Sequence, residues 1–244
     1  MQIGAQLYTV RDYCQTLPDF SETLKKIADI GYRTVQVSGT CAYDPAWLRE
    51  ELSKNGLTCV ITHTPPDRIA DHPDIVAEEH KIFGCSVVGI GSYNLDACGV
   101  EGFAARFRPA ARRLLERGCR LSYHNHDEEF KQEEGKTRLA RLAELFSPEE
   151  LAFTLDTYWV QAGGGDPIQW LRRLSGRVPC VHLKDMGYGR RMAPVGEGNM
   201  NFTGILEACL ASGVEYALVE QDDCYGEDPF ACLSRSFAYL RDFA

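Results

Sequence analysis

Short runs of apolar and β-branched residues alternate along the chain with longer stretches in which apolar residues recur every three or four positions. The short runs predict strands at 3–8, 34–38, 58–63, 87–91, 119–124, 152–156, 180–184 and 216–221. None contains a proline, as suits strands buried on both faces of a parallel sheet. The longer stretches predict helices. In 18–30, Phe20, Leu24, Ile27 and Ile30 fall on one face, and Gly31 follows as a stop. In 101–117 the basic residues Arg112, Arg113 and Arg117 precede Gly118, placing positive charge where the helix dipole favours it. A helix over 137–146 leads into a turn at Ser147-Pro148. Asp166-Pro167 and Asp228-Pro229 pair a cap with a first-turn proline, opening helices over 167–175 and 229–242.

Spacing decides between architectures. The strands begin at 3, 34, 58, 87, 119, 152, 180 and 216, and one βα unit occupies roughly 30 residues. Eight such units use the whole chain, so residues 1–244 are expected to form one (β/α)8 TIM barrel. The first strand lacks the G-x-G-x-x-G turn of a dinucleotide fold. The sequence Gly163-Gly164-Gly165 is expected to be a loop close to the site. With 44% hydrophobic and 25% charged residues among 244, the composition is that of a globular chain. A net charge of −9 disfavours a nucleic-acid partner, which would be held by clustered Lys and Arg. Apolar runs such as 57–62 and 178–183 are too short to span a membrane. Met1-Gln2-Ile3-Gly4 carries no secretory signature. The ten cysteines show no C-x-x-C pair and are expected to be reduced, mostly buried thiols of a cytoplasmic protein.

In such a barrel the active site lies at the carboxyl ends of the strands. Strand five ends in His124-Asn125-His126 and strand six in Asp156; strand seven carries His182 and then Lys184-Asp185, and strand eight runs into Glu220-Gln221-Asp222. Consecutive strands thus bring His, Asp, His and Glu to one rim. Taken singly, a strand-end histidine is often only hydrogen-bonded and a strand-end aspartate often only caps the next helix. Together they are expected to hold a divalent ion, with Mn, Co, Zn, Mg or Fe as candidates.

These residues carry a resemblance. The sequence resembles the sugar isomerase/epimerase superfamily with a xylose-isomerase-like barrel, which includes tagatose-3-epimerase-like enzymes, inosose dehydratase and endonuclease IV. The likeness covers essentially the whole chain. It rests on Gly4-Ala5-Gln6-Leu7-Tyr8-Thr9-Val10-Arg11-Asp12, Tyr123-His124-Asn125-His126 with Glu129-Phe130, and Leu155-Asp156-Thr157-Tyr158-Trp159. It rests also on His182-Leu183-Lys184-Asp185, Val195-Gly196-Glu197-Gly198 with Asn201-Phe202, and Val219-Glu220-Gln221-Asp222. The resemblance implies ligands in the order Glu, Asp, His, Glu, which fall on His124, Asp156, His182 and Glu220. Two positions depart from it. His124 stands where epimerases have a glutamate that exchanges the substrate proton, with His126 as an alternative ligand. Trp159 replaces a substrate-binding histidine and suggests a stacking contact with a sugar.

The chemistry that these groups support is enolisation. A divalent ion polarises the carbonyl of a hydroxy-ketone, and a carboxylate or imidazole removes the adjacent proton to give a metal-stabilised enediolate. Glu220 is expected to be both ligand and base. Lys184 is the candidate acid or oxyanion contact; the alternative is a salt bridge to Asp185. His63, His126, Glu129 and Trp159 are candidates for binding substrate, and Arg190 and Arg191 for meeting a phosphate. The expected function is a metal-dependent isomerase or epimerase of a small sugar or keto-sugar. The alternatives are a lyase that dehydrates a keto-polyol such as an inosose, and a barrel that binds metal or sugar without turnover. The family likeness further implies homo-oligomers.

Overall fold

In the computed structural model, which describes residues 1–243, eight parallel strands close into a barrel. They are Gln2–Gln6, Thr34–Val37, Thr58–His63, Val87–Ile90, Arg120–His124, Ala152–Asp156, Cys180–Leu183 and Tyr216–Val219, numbered here one to eight. The eighth closes on the first, with Gln2 opposite Tyr216 and Ala5 opposite Val219. The expected (β/α)8 fold is the fold that forms.

The helix signals act as expected. Thr16 Oγ1 accepts from the Asp19 N–H at 3.3 Å to open Leu17–Ile30, and Gly31 ends it at φ +125°. Asp166 and Asp228 accept from Ile168 and Phe230 at 2.8 and 3.0 Å, opening Pro167–Arg173 and Pro229–Leu240. Some boundaries differ. The first strand stops at Gln6, not residue 8, because the Gln6 side chain accepts from the Tyr8 N–H at 3.2 Å and turns Leu7–Tyr13 into a 3-10 helix. The eighth stops at Val219, although the Glu220 N–H still donates to Leu183 O at 3.2 Å. The helix expected over 101–117 runs from Leu95 to Glu116, with a break at Gly99, where φ is +67°. Two hairpins of two-residue strands, Gln132–Glu133 with Lys136–Thr137 and Asp185–Met186 with Met192–Ala193, are too short to show in a period-two pattern.

Residues two apart on a strand face the same way. Leu218 therefore shares the barrel interior with Glu220, and Cys180 with His182. Val60, Ile61, Cys180 and Leu218 form an apolar cluster of their own, separate from the main core. Beyond it towards the strand carboxyl ends lie Gln6, Gln36, Ser122, Thr154, Asp156 and His182, all fully buried. Gly4 belongs to the crowded interior: a Cβ there would stand 2.3 Å from Thr34 Oγ1 and 2.5 Å from Leu218 Cδ2. A bulge between Val35 and Gln36 shifts the pairing of strands two and three, and such bulges re-aim side chains. Outside the barrel the helices pack their apolar faces onto the strands. Phe103, on Leu95–Glu116, meets Phe107, Tyr123 and Phe146 at ring-centroid distances of 4.6, 5.1 and 5.9 Å.

Phe103 is fully buried behind strand five. Phe103→Ala is expected to lower unfolding free energy by about 3–5 kcal/mol, read from the urea midpoint at unchanged m-value.

Candidate metal centre at the barrel mouth

Four side chains from strands five to eight meet at the carboxyl end of the barrel. His124, Asp156, His182 and Glu220 are all buried, and each offers one ligand atom within 4.8 Å of the others. His182 Nδ1 lies 2.9 Å from Glu220 Oε2 and 3.8 Å from Asp156 Oδ2; His124 Nε2 lies 3.4 Å from the same Asp156 oxygen. Asp156 serves both uses open to a strand-end aspartate. Its Oδ1 caps the helix Thr157–Ala162 by accepting from the Trp159 N–H at 2.9 Å, and its Oδ2 faces the cluster.

The second nitrogen of each imidazole fixes what the first can do. His124 Nδ1 is 2.9 Å from Gly91 O, and a carbonyl only accepts, so the proton sits on Nδ1 and Nε2 turns a lone pair inward. His182 Nε2 is 2.6 Å from Gln36 Oε1, which leaves Nδ1 facing the two carboxylates. His182 Nδ1 and Glu220 Oε2 are buried and face each other at 2.9 Å, with no partner outside the cluster. The 2.9 Å approach of His182 Nδ1 to Glu220 Oε2 needs either a proton on the ring nitrogen or a cation between the two. With their inward nitrogens deprotonated, two imidazoles and two carboxylates, each imidazole oriented by an outer acceptor, would form a donor set that fits a divalent transition ion.

Lys184 supplies a positive charge of the chain's own. It follows His182 by two residues, so it faces the same interior, and it is 1% exposed. Its Nζ lies 3.1 Å from Asp156 Oδ2, 3.0 Å from Glu220 Oε2 and 2.9 Å from both Asp222 oxygens. The alternative pairing with Asp185 does not form. Asp185 instead accepts the backbone N–H groups of Met186, Gly196, Gly198 and Met200, fastening the Val195–Gly198 loop to the rim. Burial opposes the ionised form of Glu220 and Asp156, yet Lys184 and the imidazoles hold both below the usual carboxylate range. Burial likewise opposes the imidazolium of His182, but Glu220 and Asp156 lift its pKa to about 9. Asp222 goes the other way, raised by burial and by the charge of Glu220.

The cluster opens into a cavity of about 430 Å³. His63, His124, His126, Lys184 and Glu220 line it, with Tyr8, Arg11, Ser38, Ser92 and Asp222. His63 packs 5.3 Å from His124 and 5.8 Å from His182, ring to ring, and its Nδ1 meets Ser38 Oγ at 3.1 Å. Burial and the neighbouring imidazoles push its pKa well below the ordinary value. His126 lies outside the four-ligand group and against Trp159 at 5.3 Å; burial and His124 lower its pKa to about 3. Trp159 sits behind His126 and Lys184 and is not among the cavity-lining residues. Glu129 is buried and fully engaged, accepting from Tyr123 Oη at 2.6 Å and the His126 N–H at 2.7 Å. It clasps the end of strand five. Arg190 approaches Asp127 at 3.5 Å and Arg191 lies over Tyr225, both away from the cavity. The loop Gly163–Gly165 likewise does not line it: Gly163 and Gly165 stand against the Phe130 ring, where a Cβ would come within 2.6 Å.

Sequence reasoning missed Gln36, Asn125, Arg11 and Asp222. Asn125 Oδ1 accepts from the Asp156 N–H at 3.1 Å. Gln36 carried one usable signal, a polar amide inside the apolar run of strand two. Arg11 and Asp222 lie just beyond strands one and eight, where only tertiary structure shows that they converge.

The chain was compared with known proteins. A family model described as a xylose isomerase-like TIM barrel matches residues 24–231. An inosose dehydratase of Geobacillus kaustophilus is 25% identical over 191 residues, covering 68% of this chain and 61% of that protein. A sugar phosphate isomerase/epimerase structure from Parabacteroides distasonis superposes with a TM-score of 0.84 at 22% identity, covering 98% of this chain and 93% of the other. An L-ribulose 3-epimerase structure gives 0.77 at 16%, covering 99% and 94%; at these identities the two structures show the fold alone. Among the described residues no helix is long and apolar enough to cross a membrane.

Removing the lysine charge would leave three carboxylates crowded together. In buffer with chelator, Lys184→Met is expected to lose about 3–5 kcal/mol of stability in a urea titration. A loss below 1 kcal/mol would show that the ammonium does not offset the buried carboxylates.

Proposed function

The chain belongs to the xylose isomerase-like TIM barrel family, and from that premise we propose that it is a divalent-metal-dependent enzyme that enolises a small keto-sugar to give an isomer. The observation that carries this reading is the orientation of His124 and His182, whose outer hydrogen bonds turn their second ring nitrogens towards Asp156 and Glu220. These four residues would hold the ion. When bound, it supplies a Lewis acid that polarises a substrate carbonyl and acidifies the neighbouring C–H.

Glu220 is the base in this reading. Glu220 lines the cavity, and its Oε2 meets only Lys184 and His182. Burial opposes its charge, but Lys184 and His182 keep it ionised and able to accept a proton. Lys184, 3.0 Å from the same oxygen, is placed to donate a proton to a substrate oxygen on the same side. His124 occupies the place where an epimerase of this family would present its second glutamate, and its Nδ1–H is committed to Gly91 O. One base and one acid on a single side suit proton transfer between neighbouring carbons better than inversion by two opposed carboxylates.

The same arrangement supports a second reading, which the likeness to inosose dehydratase favours. Glu220 takes the proton beside the carbonyl, Lys184 protonates a β-hydroxyl, and water leaves. Mass analysis separates the two, because only elimination changes the mass of the product. The ten cysteines are all free thiols, the form that a reducing cytoplasm maintains.

Two measurements test the reading. Glu220→Gln should reduce deuterium uptake into substrate from D₂O by about 10²–10⁴-fold while far-UV circular dichroism stays unchanged. Near wild-type exchange would remove Glu220 as the base. Gln36→Leu, which leaves His182 Nε2 without its acceptor, should weaken Mn²⁺ binding about 10–100-fold by calorimetry. Turnover that survives complete chelation of divalent ions would overturn the metal-dependent mechanism.

A further inference from the structure

The cavity wall holds one positive charge that the centre does not use. Arg11 lines the cavity beside Tyr8 and Asp222. Its Nη1 donates to Tyr8 O at 2.8 Å and to Asp222 O at 3.0 Å, and its guanidinium lies 4.4 Å from the centroid of the Tyr8 ring. These contacts fix the side chain on the rim. They also leave Nε and Nη2 without a protein acceptor among the described residues. No Asp or Glu side chain forms a salt bridge with Arg11 there, although most arginines of this acidic chain have such a partner.

A charge count around the cavity shows what is missing. Asp156, Glu220 and Asp222 bring three negative charges. Lys184 with a divalent ion would bring three positive ones, and that part of the site is then neutral. Arg11 remains as one unmatched positive charge, and no Lys or Arg other than Lys184 and Arg11 lines the cavity. Its position relative to the centre is set by a single residue. The Asp222 carboxylate holds Lys184 at 2.9 Å, while the Asp222 carbonyl holds Arg11 at 3.0 Å. Arg11 and the centre thus face one cavity that a small ligand can share.

We infer that the substrate is a carboxylated keto-polyol and that Arg11 binds its carboxylate. The inference rests on the metal-dependent reading above and narrows its substrate class. A guanidinium with two free N–H groups presents the fork that a carboxylate accepts in bidentate fashion. One unmatched positive charge balances a monoanion. A phosphate ester, with about −1.5 to −2 charges at neutral pH, would leave excess negative charge beside the buried Asp156 and Glu220 and the half-buried Asp222. The overall charge of −9 repels anions at long range, so recognition of an acidic substrate falls to a local cation such as this one.

The test is calorimetric titration of the Mn²⁺-loaded protein with fructose, a keto-gluconate and a fructose phosphate, using wild type, Arg11→Gln and Arg11→Lys. Wild type is expected to bind the keto-gluconate at least about tenfold more tightly than fructose, and the phosphate ester no more tightly than fructose. Arg11→Gln is expected to lose that preference, and Arg11→Lys to keep part of it. Mn²⁺ affinity, measured on the same samples, should be the same in all three proteins. Equal affinities in wild type, a preference that survives in Arg11→Gln, tighter binding of the phosphate ester, or no binding of the keto-gluconate up to about 10 mM would each overturn the inference. Failure of wild type to bind Mn²⁺ at all would instead overturn the metal-dependent reading on which it rests.

Discussion

Burying several ionisable groups in one small volume is the constraint from which the barrel mouth follows. Asp156, Glu220, His182 and Lys184 are all essentially inaccessible to water. A buried charge without a partner costs several kcal/mol, and breaking a buried pair costs as much because it strands the other charge. Each charge therefore needs a counter-charge or a fixed dipole within hydrogen-bond reach. Lys184 meets three carboxylates at once, Gly91 O and Gln36 Oε1 take the outer N–H groups of the imidazoles, and Asn125 takes the Asp156 N–H. The surrounding contacts occupy the outer atoms and leave the inward-facing ones to one another.

The barrel supplies the order that this needs. Because side chains alternate along a strand, His182 and Lys184 enter the interior together and Asp185 turns away. The motif His182-Leu183-Lys184-Asp185 thus has two tasks on opposite sides of one strand end. The inner pair shapes the centre; Asp185 gathers four backbone N–H groups and fastens the loop over the rim. Gly198 follows from the same clasp, since a Cβ there would run into Asp185 Oδ1, whereas Gly196 is required by the Tyr239 ring.

The repeat of about thirty residues made the barrel legible in the sequence, and the strand-end rule made His124, Asp156, His182 and Glu220 legible as a group, because both depend only on local period and position. What escaped depends on approach across the barrel. Gln36 reads as an ordinary strand residue until the ring closes and puts it beside His182. Glu129 reads as a loop charge until Tyr123 and the His126 N–H enclose it. The arginines that looked able to meet an anion, Arg190 and Arg191, are drawn to Asp127 and Tyr225. Arg11, three residues past the predicted first strand, reaches the cavity from the 3-10 helix that Gln6 opens.

The replacement of a glutamate by His124 bears on the chemistry through charge as well as geometry. If the four residues held a divalent ion, their two carboxylates would neutralise it, whereas three carboxylates would leave the centre one charge negative. A neutral centre withdraws electron density from a coordinated carbonyl more strongly than an anionic one. The carboxylate that is missing from strand five is balanced further out, where Asp222 holds Lys184 next to Glu220. The second carboxylate of the pocket has in effect moved from the metal to the acid. Under the proposed function, such an arrangement would gain a stronger electrophile and a positioned proton donor, and would lack the opposed base that inversion requires. That exchange favours transfer or elimination on one side of a substrate, and it is written in the identity of two residues, His124 and Asp222.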